Sequence, residues 1–407
     1  MSSSGRVDQS SPSFSGEKPI ERWCTSLMVY WLSSSIVFLG LGMGSALIRP
    51  SPVRGHTFQH TDAPYANWDG QWYAEIVARG YVLDCNAHSS VAFFPGYPVL
   101  ARCVARLTGL RNEESLLVTS NALLAATFVL LAEYLRVRDA AGSPHSTREA
   151  SLLAFGLVPT TFFFRVAYSE SLFLFLTTLA LFGMRRRWPL LVLAAVIGLA
   201  TATRAVGIAL SVALLWHTWR RSLGWPSFAA RAIVLVPVSC WGLVAYMAYQ
   251  AAEFGDPLAF AKAQTSWRHR PPAVGGARLL ALATLEPVRA LFDPAGPAYT
   301  AVLGRTGNPL LSLRAADPFY FLATSLLVIL GSARRWLTGE EIVVAAGMLL
   351  VPYISTAYEQ HMQSAGRYAA VVLPAYFVLG RLLVKLPAPI LAVLAALCGF
   401  FLGNARF

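Results

Sequence analysis

Trp68-Asp69-Gly70-Gln71-Trp72-Tyr73, running on to Gly80-Tyr81 and then to Ala92-Phe93-Phe94-Pro95-Gly96-Tyr97-Pro98, is the stretch on which the reading of this chain turns. It follows the first long apolar segment and sets a lone acid among aromatic rings, the residue mix of a bilayer surface. Asp-Gly is a helix-start signal: Asp69 can cap free N–H groups, and Gly80 suits the position just past a helix end. Trp72, Ile76 and Gly80 recur at four-residue spacing, as do Tyr73 and Val77, with Gln71, Glu75 and Arg79 directed elsewhere. A short helix lying in the interface is predicted, with Asp69 at its leading tip. The plain alternative makes Asp69 only a cap and the tryptophans only an aromatic belt.

Composition fixes the surroundings of that helix. Of 407 residues, 56% are hydrophobic and 13% charged, against about 25% charged in soluble domains, so the chain reads as a membrane protein. Its net charge of +12 would suggest nucleic acid in a soluble protein. Here the basic residues fall between apolar segments, so the bilayer and lipid phosphate are the expected partners, and no nucleic acid is. Five cysteines show no metal-ligand spacing. Cys85 and Cys103 share one outer loop, as a disulfide or as two free thiols. No cleavable signal peptide is expected, because the first apolar segment is long and lacks a small-residue cleavage site.

Apolar runs give about eleven candidate spans, near 24–48, 115–135, 150–165, 168–184, 189–202, 204–219, 231–251, 317–333, 341–356, 368–384 and 387–402. The third to sixth are short and can pair into fewer, broken crossings. The domain reading is a disordered cytoplasmic tail over 1–22, one transmembrane domain over 23–402 and a short tail over 403–407. With the N-terminus inside, Lys18, Arg22, Arg136, Arg138, Arg148, Arg185 to Arg187, Arg220, Arg221, Arg334, Arg335, Arg381 and Lys385 all fall on the cytoplasmic side, in short loops.

The other face then receives two long loops, about 49–114 and 252–316, and the turns around Phe164 to Glu170, Thr203-Arg204 and Ala357 to Arg367. Long connections are uncommon unless functional, so extracytoplasmic chemistry at the membrane surface is expected. In the second loop, Asp256 before Pro257 suits a helix start, and Phe260, Gln264 and Trp267 share one face. Gly276 to Phe292, apolar with Pro287 inside, is predicted to be a broken interfacial helix. No Gly-rich phosphate loop or soluble nucleotide-binding pattern occurs, which argues against a nucleotide-sugar donor.

Six stretches in order resemble one family. They are Trp68-Asp69-Gly70 with Tyr73 and Gly80-Tyr81; Ala92 to Pro98; Tyr168-Ser169-Glu170-Ser171-Leu172-Phe173; Thr203-Arg204; Phe254-Gly255-Asp256-Pro257-Leu258-Ala259-Phe260 with Gln264 and Trp267; and Gly366-Arg367-Tyr368 with Pro374. The set resembles the phosphatidylinositol-glycan class V family, whose eukaryotic members are the GPI mannosyltransferase II enzymes. The resemblance implies the all-α GT-C fold, a polytopic membrane glycosyltransferase using a polyprenyl-phosphate sugar. It also implies a catalytic acid in the first outer loop, here Asp69. The compact inner loops are similar to those of the shorter bacterial relatives. They imply a plasma-membrane protein and an acceptor other than a GPI precursor.

The chemistry such an enzyme needs can be assigned residue by residue. Inverting transfer needs a carboxylate as general base beside the acceptor hydroxyl, assigned to Asp69, with Asp84 and Glu75 as weaker candidates. A departing polyprenyl phosphate needs fixed positive charge, assigned to Arg204, Arg367 and Arg165 at outer span ends. For Arg165, snorkelling to the interface is the plain reading. Glu170 is expected to pair with Arg165 or Arg204 and orient the site, because an unpaired carboxylate at a span start is expensive. Asp256 is read first as a turn and helix cap. Trp68, Tyr73, Tyr97, Gln264 and Trp267 are candidates for substrate contact or support. Glu359 and His361 raise a divalent metal with Asp69; some relatives use one and others do not, and no cofactor is assigned.

The expected reaction moves mannose from a polyprenyl-phosphate carrier to a hydroxyl of a membrane lipid or lipid-linked glycan. Only the resemblance names the sugar. A lipid-linked sugar transporter would place its charges in mid-span, whereas here they cluster at span ends. A non-catalytic subunit of a glycosyltransferase complex is the other alternative.

Overall fold

The structure, a computed structural model, describes residues 18–43, 64–84, 88–139, 145–264, 275–292, 312–355, 362 and 364–405. Cys85, Trp267, Glu359 and His361, and with them the thiol pair and three candidate site residues, lie outside the described residues. Among those residues the regular elements are helices, with no strand. They are α1 (Pro19–Gly42), α2 (Asp69–Arg79), α3 (Gly96–Thr108), α4 (Asn112–Arg138), α5 (His145–Leu157), α6 (Glu170–Arg185), α7 (Leu190–Thr203), α8 (Ile208–Trp219) and α9 (Trp225–Ser239). After these come α10 (Trp241–Phe254), α11 (Ala259–Ala263), α12 (Gly275–Ala283), α13 (Glu286–Phe292), α14 (Leu313–Ala333), α15 (Gly339–Ser355), α16 (Ala365–Ala370), α17 (Leu373–Leu383) and α18 (Ala388–Asn404).

Apolar length makes this an integral membrane protein. Among the described residues α1, α4 and most of α14 are each long and apolar enough to cross a bilayer. The segments 190–203, 205–219, 373–383 and 388–404 form shorter apolar helices. Three expected spans are not the continuous helices predicted. The segment 231–251 belongs to two helices, α9 and α10, which meet at Cys240 with a bend of 51°, with Pro237 in the last turn of α9. A proline there removes one backbone donor and crowds the preceding turn, which is where helices kink. The segment 150–165 ends its α-helix at Leu157, and Pro159–Phe164 continue as a 3-10 turn. The segment 368–384 is divided between α16 and α17, with Pro374 in the first turn of α17, where proline is tolerated.

Helices approach most closely where both surfaces are small. A Cβ on Gly242 of α10 would lie 2.1 Å from the Gly198 carbonyl of α7, and one on Gly40 of α1 would lie 2.6 Å from the Gly399 carbonyl of α18. In lipid, such close backbone approach supplies much of the association that the hydrophobic effect supplies in water.

The bundle has two chemically distinct ends. At one, Arg138 at the end of α4 pairs with Glu341 of α15 at 2.6 Å. There Arg185 of α6 donates to the Arg138 carbonyl at 3.1 Å, and His217 of α8 meets Glu340 at 2.9 Å. The basic connections predicted for a single side therefore do share one end. At the other end lie the starts of α2, α6 and α16 and the end of α7.

The connection after α1 and the connection after α10 dock on one another there. Gln250 of α10 accepts from the Phe260 N–H at 2.9 Å and donates to the Val91 carbonyl at 3.2 Å. The Tyr246 hydroxyl donates to the Val91 and Phe93 carbonyls at 2.9 and 3.0 Å. Ala259 and Ala263 of α11 bury against Val91. The first-loop helix α2 is packed into the protein. It runs from Asp69 to Arg79 and stops at Gly80 with φ +90°, as read; its first part is buried all round, and Ala78 and Arg79 at its end are exposed. Gln71, placed by the helical wheel on the outer face, is only 4% exposed, because the helix is enclosed by α3, α4 and the 90–92 turn.

Candidate active site

The site is assembled by the entry into α2. Trp68 adopts φ +50°, and the first amides of the helix are satisfied by backbone: Gly70 N–H donates to the Asn67 carbonyl at 2.9 Å and Gln71 N–H to the Trp68 carbonyl at 3.1 Å. Trp68 takes the cap position and Asp69 is the first helical residue, its carboxylate bonded to Arg367. In place of the predicted capping role, the carboxylate turns to an arginine of α16. Gly70 presses on Ala167, whose Cβ would lie 3.3 Å from a Cβ at residue 70, and Ala167 N–H donates to the Tyr65 carbonyl at 2.9 Å. The segment that leads into α6 is thus pinned to the start of α2, and Glu170, first residue of α6, comes beside Asp69.

Two arginines complete the cluster. Arg367 of α16 donates from Nη1 to Asp69 Oδ2 and from Nε to Glu170 Oε1. Arg204, just past α7, reaches the same Glu170 Oε1 from Nη1 at 2.6 Å and Ser169 Oγ at 3.4 Å. Ser169 Oγ also accepts from the Tyr73 hydroxyl at 3.0 Å. The Arg367 guanidinium lies over the rings of Tyr168 at 4.4 Å and Phe163 at 5.5 Å, an arrangement that holds a partly desolvated cation. Two carboxylates against two guanidinium groups leave the cluster neutral, as burial of four charges requires.

Exposure separates the two acids. The Asp69 side chain is 23% exposed, and Glu170 is fully buried. A substrate can reach Asp69 and the edges of Arg367 and Arg204, which are 14% and 12% exposed. It cannot reach Glu170 without moving an arginine. Glu170 therefore orients both arginines, and its predicted partner Arg204 is one of them.

Other candidates lie away from this cluster. Arg165 is fully buried, donating to Ser34 Oγ at 3.0 Å, Ser33 Oγ at 3.1 Å and the Gly156 and Thr161 carbonyls at 3.1 and 3.2 Å. It ties α1 to α5 and does not snorkel. The Tyr97 hydroxyl, also buried, donates to the Leu116 carbonyl at 2.9 Å and lies 2.7 Å from Ser120 Oγ; its ring meets Tyr73 edge-on. Asp256 accepts from the Leu258 N–H at 3.0 Å and pairs with Lys262 at 2.7 Å, which fits its reading as a turn and cap. Gln264 lies 3.4 Å from the Ala92 carbonyl, joining the two loops. Glu75 pairs with Arg79 at 3.7 Å, and Asp84 is exposed.

Sequence reasoning missed Asp317. Its two oxygens accept from the Gly366 N–H at 2.8 Å and the Ser364 N–H at 2.6 Å, fixing the turn that presents Arg367. The signal was there: a carboxylate beside Pro318 at the head of an apolar span needs partners. Gln71 was missed as well; neither its amide oxygen nor its nitrogen finds a hydrogen-bond partner among the described residues.

Among the described residues no three His, Cys, Asp or Glu side chains gather as metal ligands. Both carboxylates of the cluster are already matched by arginines, so a divalent ion would meet cations rather than free charge.

Fold and site together define a polytopic membrane protein with a neutral carboxylate–arginine cluster opening at one end of its bundle. Residues 50–222 match the model of a family described as mannosyltransferase (PIG-V), so the resemblance read from the motifs holds over that region. It contains Asp69, Glu170 and Arg204 but not Arg367. The chain is 34% identical over 191 residues to GPI alpha-1,6-mannosyltransferase 2 of Rattus norvegicus, a match covering 45% of this chain and 36% of that protein. It is 32% identical over 163 residues to the Homo sapiens protein of that name, covering 38% and 31%. The matched stretch thus spans about a third of the length of these relatives. Among solved structures, the Archaeoglobus fulgidus oligosaccharyltransferase with a tethered acceptor peptide aligns with 93% of this chain and 55% of its own, at 12% identity and a TM-score of 0.44. AglB of the same organism, in complex with an inhibitory peptide and a dolichol-phosphate, aligns at 12% identity with a TM-score of 0.43 and the same coverage.

Proposed function

We propose that this protein is an inverting membrane mannosyltransferase of the GT-C type, moving mannose from a polyprenyl-phosphate carrier to a hydroxyl of a lipid or lipid-linked glycan on the extracytoplasmic face. The observation that carries the reading is Asp69, a partly open carboxylate at the head of a buried helix, held by an arginine that also faces the opening. The family match over 50–222 supports the sugar.

In this reaction the acceptor oxygen attacks C1 of the sugar from the face opposite the phosphate. The C1–O bond to phosphate breaks as the new C1–O bond forms, and the acceptor proton passes to Asp69. Polyprenyl phosphate leaves with the bonding electron pair. A carboxylate suffices as the base when proton transfer is late, because the acceptor hydroxyl becomes acidic as its oxygen bonds to C1. General base assistance is worth roughly 10²–10⁴ in rate, and arginines aimed at the developing phosphate charge about 10²–10³ more. Glu170 keeps both arginines oriented while leaving their outer edges to the phosphate.

Two assays test this. Purified protein in lipid should transfer label from radiolabelled polyprenyl-phosphate-mannose to a membrane-lipid acceptor pool, and the product should carry the inverted anomer. Arg204→Ala should weaken donor binding; unchanged affinity would remove Arg204 from the phosphate site. A retained anomer would exclude single displacement with Asp69 as base.

A further inference from the structure

The end of the bundle opposite Asp69 holds a second charged feature that the transfer reaction does not use. A cavity of about 330 Å³ opens there between the ends of α6 and α8 and the start of α15, with Arg185, Arg187, Arg220, Arg221, His217 and Glu340 among its lining residues. Four arginines thus face a single carboxylate, Glu340.

The nearby acids are committed elsewhere. Glu341 is taken by Arg138, by the Tyr134 hydroxyl at 2.6 Å and by the Thr338 N–H at 2.7 Å. Asp139 pairs with Arg138 at 2.7 Å and Arg381 at 3.4 Å. Glu340 itself meets His217 Nδ1 at 2.9 Å, and Arg221 Nη1 lies 2.9 Å from His217 Nε2. As Arg221 can only donate, Nε2 accepts and Nδ1 carries the proton toward Glu340 in the neutral ring. Arg185 is spent on the Val137 and Arg138 carbonyls at 3.3 and 3.1 Å. Arg187 and Arg220 are exposed at the cavity and form no ion pair among the described residues, although the Arg220 charge acts on Glu340.

Backbone conformation adds a second observation. Arg187 adopts φ +59°, the left-handed region in which a glycine or asparagine would be less strained. Its neighbour Arg186 points away, over the Phe182 ring at 5.8 Å. The tight turn before α7 therefore carries an arginine at its least favourable position and aims it at the cavity. Topology signalling alone would be met by any basic residue anywhere in that loop.

We propose that this cavity binds a phosphate group, supplied by the headgroup of an anionic lipid in the leaflet at the arginine-rich end. Guanidinium groups suit phosphate oxygens through paired donors, and basic pockets between helix ends at a membrane surface recruit anionic headgroups. Binding is read without turnover, so it stands or falls separately from the transfer reaction.

The full-length protein is assayed by native mass spectrometry after release from vesicles of phosphatidylcholine with 20–30% (about a quarter) phosphatidylglycerol, the anionic share that basic headgroup sites respond to. Arg187→Gly suits the existing backbone and Arg220→Gln keeps a polar stem, so both should fold. Each is expected to lower retained phosphatidylglycerol about fivefold or more, roughly the loss of one charge-assisted contact, with phosphatidylcholine unchanged. Arg335→Gly is the control, because Arg335 has φ +56° in the next basic turn and does not line the cavity. Equal loss in Arg335→Gly, or no loss in Arg187→Gly, would overturn the proposal. In a parallel arm with inorganic phosphate and no anionic lipid, phosphate bound by wild type and lost in Arg187→Gly, while lipid retention ignores the variant, would overturn the lipid as its source.

Discussion

Arg367 holds Asp69 and Glu170 on two different nitrogens, Nη1 on the Asp69 carboxylate and Nε on that of Glu170. One guanidinium therefore joins the acid that a substrate can reach to the acid that it cannot. Residues 298 and 197 positions apart in sequence meet because three helices begin, and a fourth ends, at the same level of the bundle. Each prediction below follows from a part of that arrangement.

Glu170→Gln should destabilise the protein by about 3–5 kcal/mol, the cost of breaking a buried pair and leaving its partner uncompensated. Glu170 Oε1 serves Arg204 and Arg367 together, so its neutralisation leaves two guanidinium groups over one carboxylate. A thermal melt in lipid reads the effect. Wild-type stability with lost transfer would instead make Glu170 a substrate contact.

Asp317 positions Arg367 without touching the cluster. Ser364, at φ +65°, and Gly366 both donate backbone N–H groups to it. Asp317→Ala removes both acceptors and should cost about 1–2 kcal/mol at the turn, lowering transfer roughly tenfold through a raised KM for donor. Asp317→Asn keeps one acceptor and should lose less. Full activity in both variants would detach this carboxylate from the site.

Much of this was legible in the sequence, and the exceptions have physical causes. Asp69 is legible as the lone acid of an Asp-Gly helix start among aromatic rings, Arg204 and Arg367 as cations at span ends, and Glu170 as a carboxylate too expensive at a span start to stand unpaired. Their mutual pairing was not legible in full, since Glu170 was assigned Arg165 or Arg204 and meets Arg204 and Arg367. Arg165 shows why: span-end position places a residue along the membrane normal but not around the bundle axis. The helix and its end at Gly80 are legible, with Asp69 read as a possible cap, but a single helical wheel does not reveal that packing against α3 and α4 leaves Gln71 buried. Proline positions foretold the breaks less well, because Pro237, Pro159 and Pro374 sit inside runs whose hydropathy is continuous.

Gln71→Leu should raise thermal stability by about 1–3 kcal/mol, since it removes a buried amide that has no hydrogen-bond partner among the described residues. The melt is run on the protein in lipid without substrate. A lower melting temperature would mean that the amide is paired in the membrane.

Arg165→Leu should destabilise the protein by about 2 kcal/mol or more, because two hydroxyls and two carbonyls lose their donor. Donor affinity of the folded fraction should match wild type, in contrast to Arg204→Ala. Weakened donor binding without loss of stability would return Arg165 to the phosphate site.

The most direct test compares sugar transfer by wild type and Asp69→Asn, purified in lipid with radiolabelled polyprenyl-phosphate-mannose. Asparagine keeps the shape and one acceptor for Arg367 but is not a base, so transfer should fall by about 10²-fold or more while donor binding is kept and the melting temperature falls by less than in Glu170→Gln, because Asp69 is the more exposed of the two acids. Equal transfer by both proteins would contradict the central claim and reduce Asp69 to an anchor for Arg367.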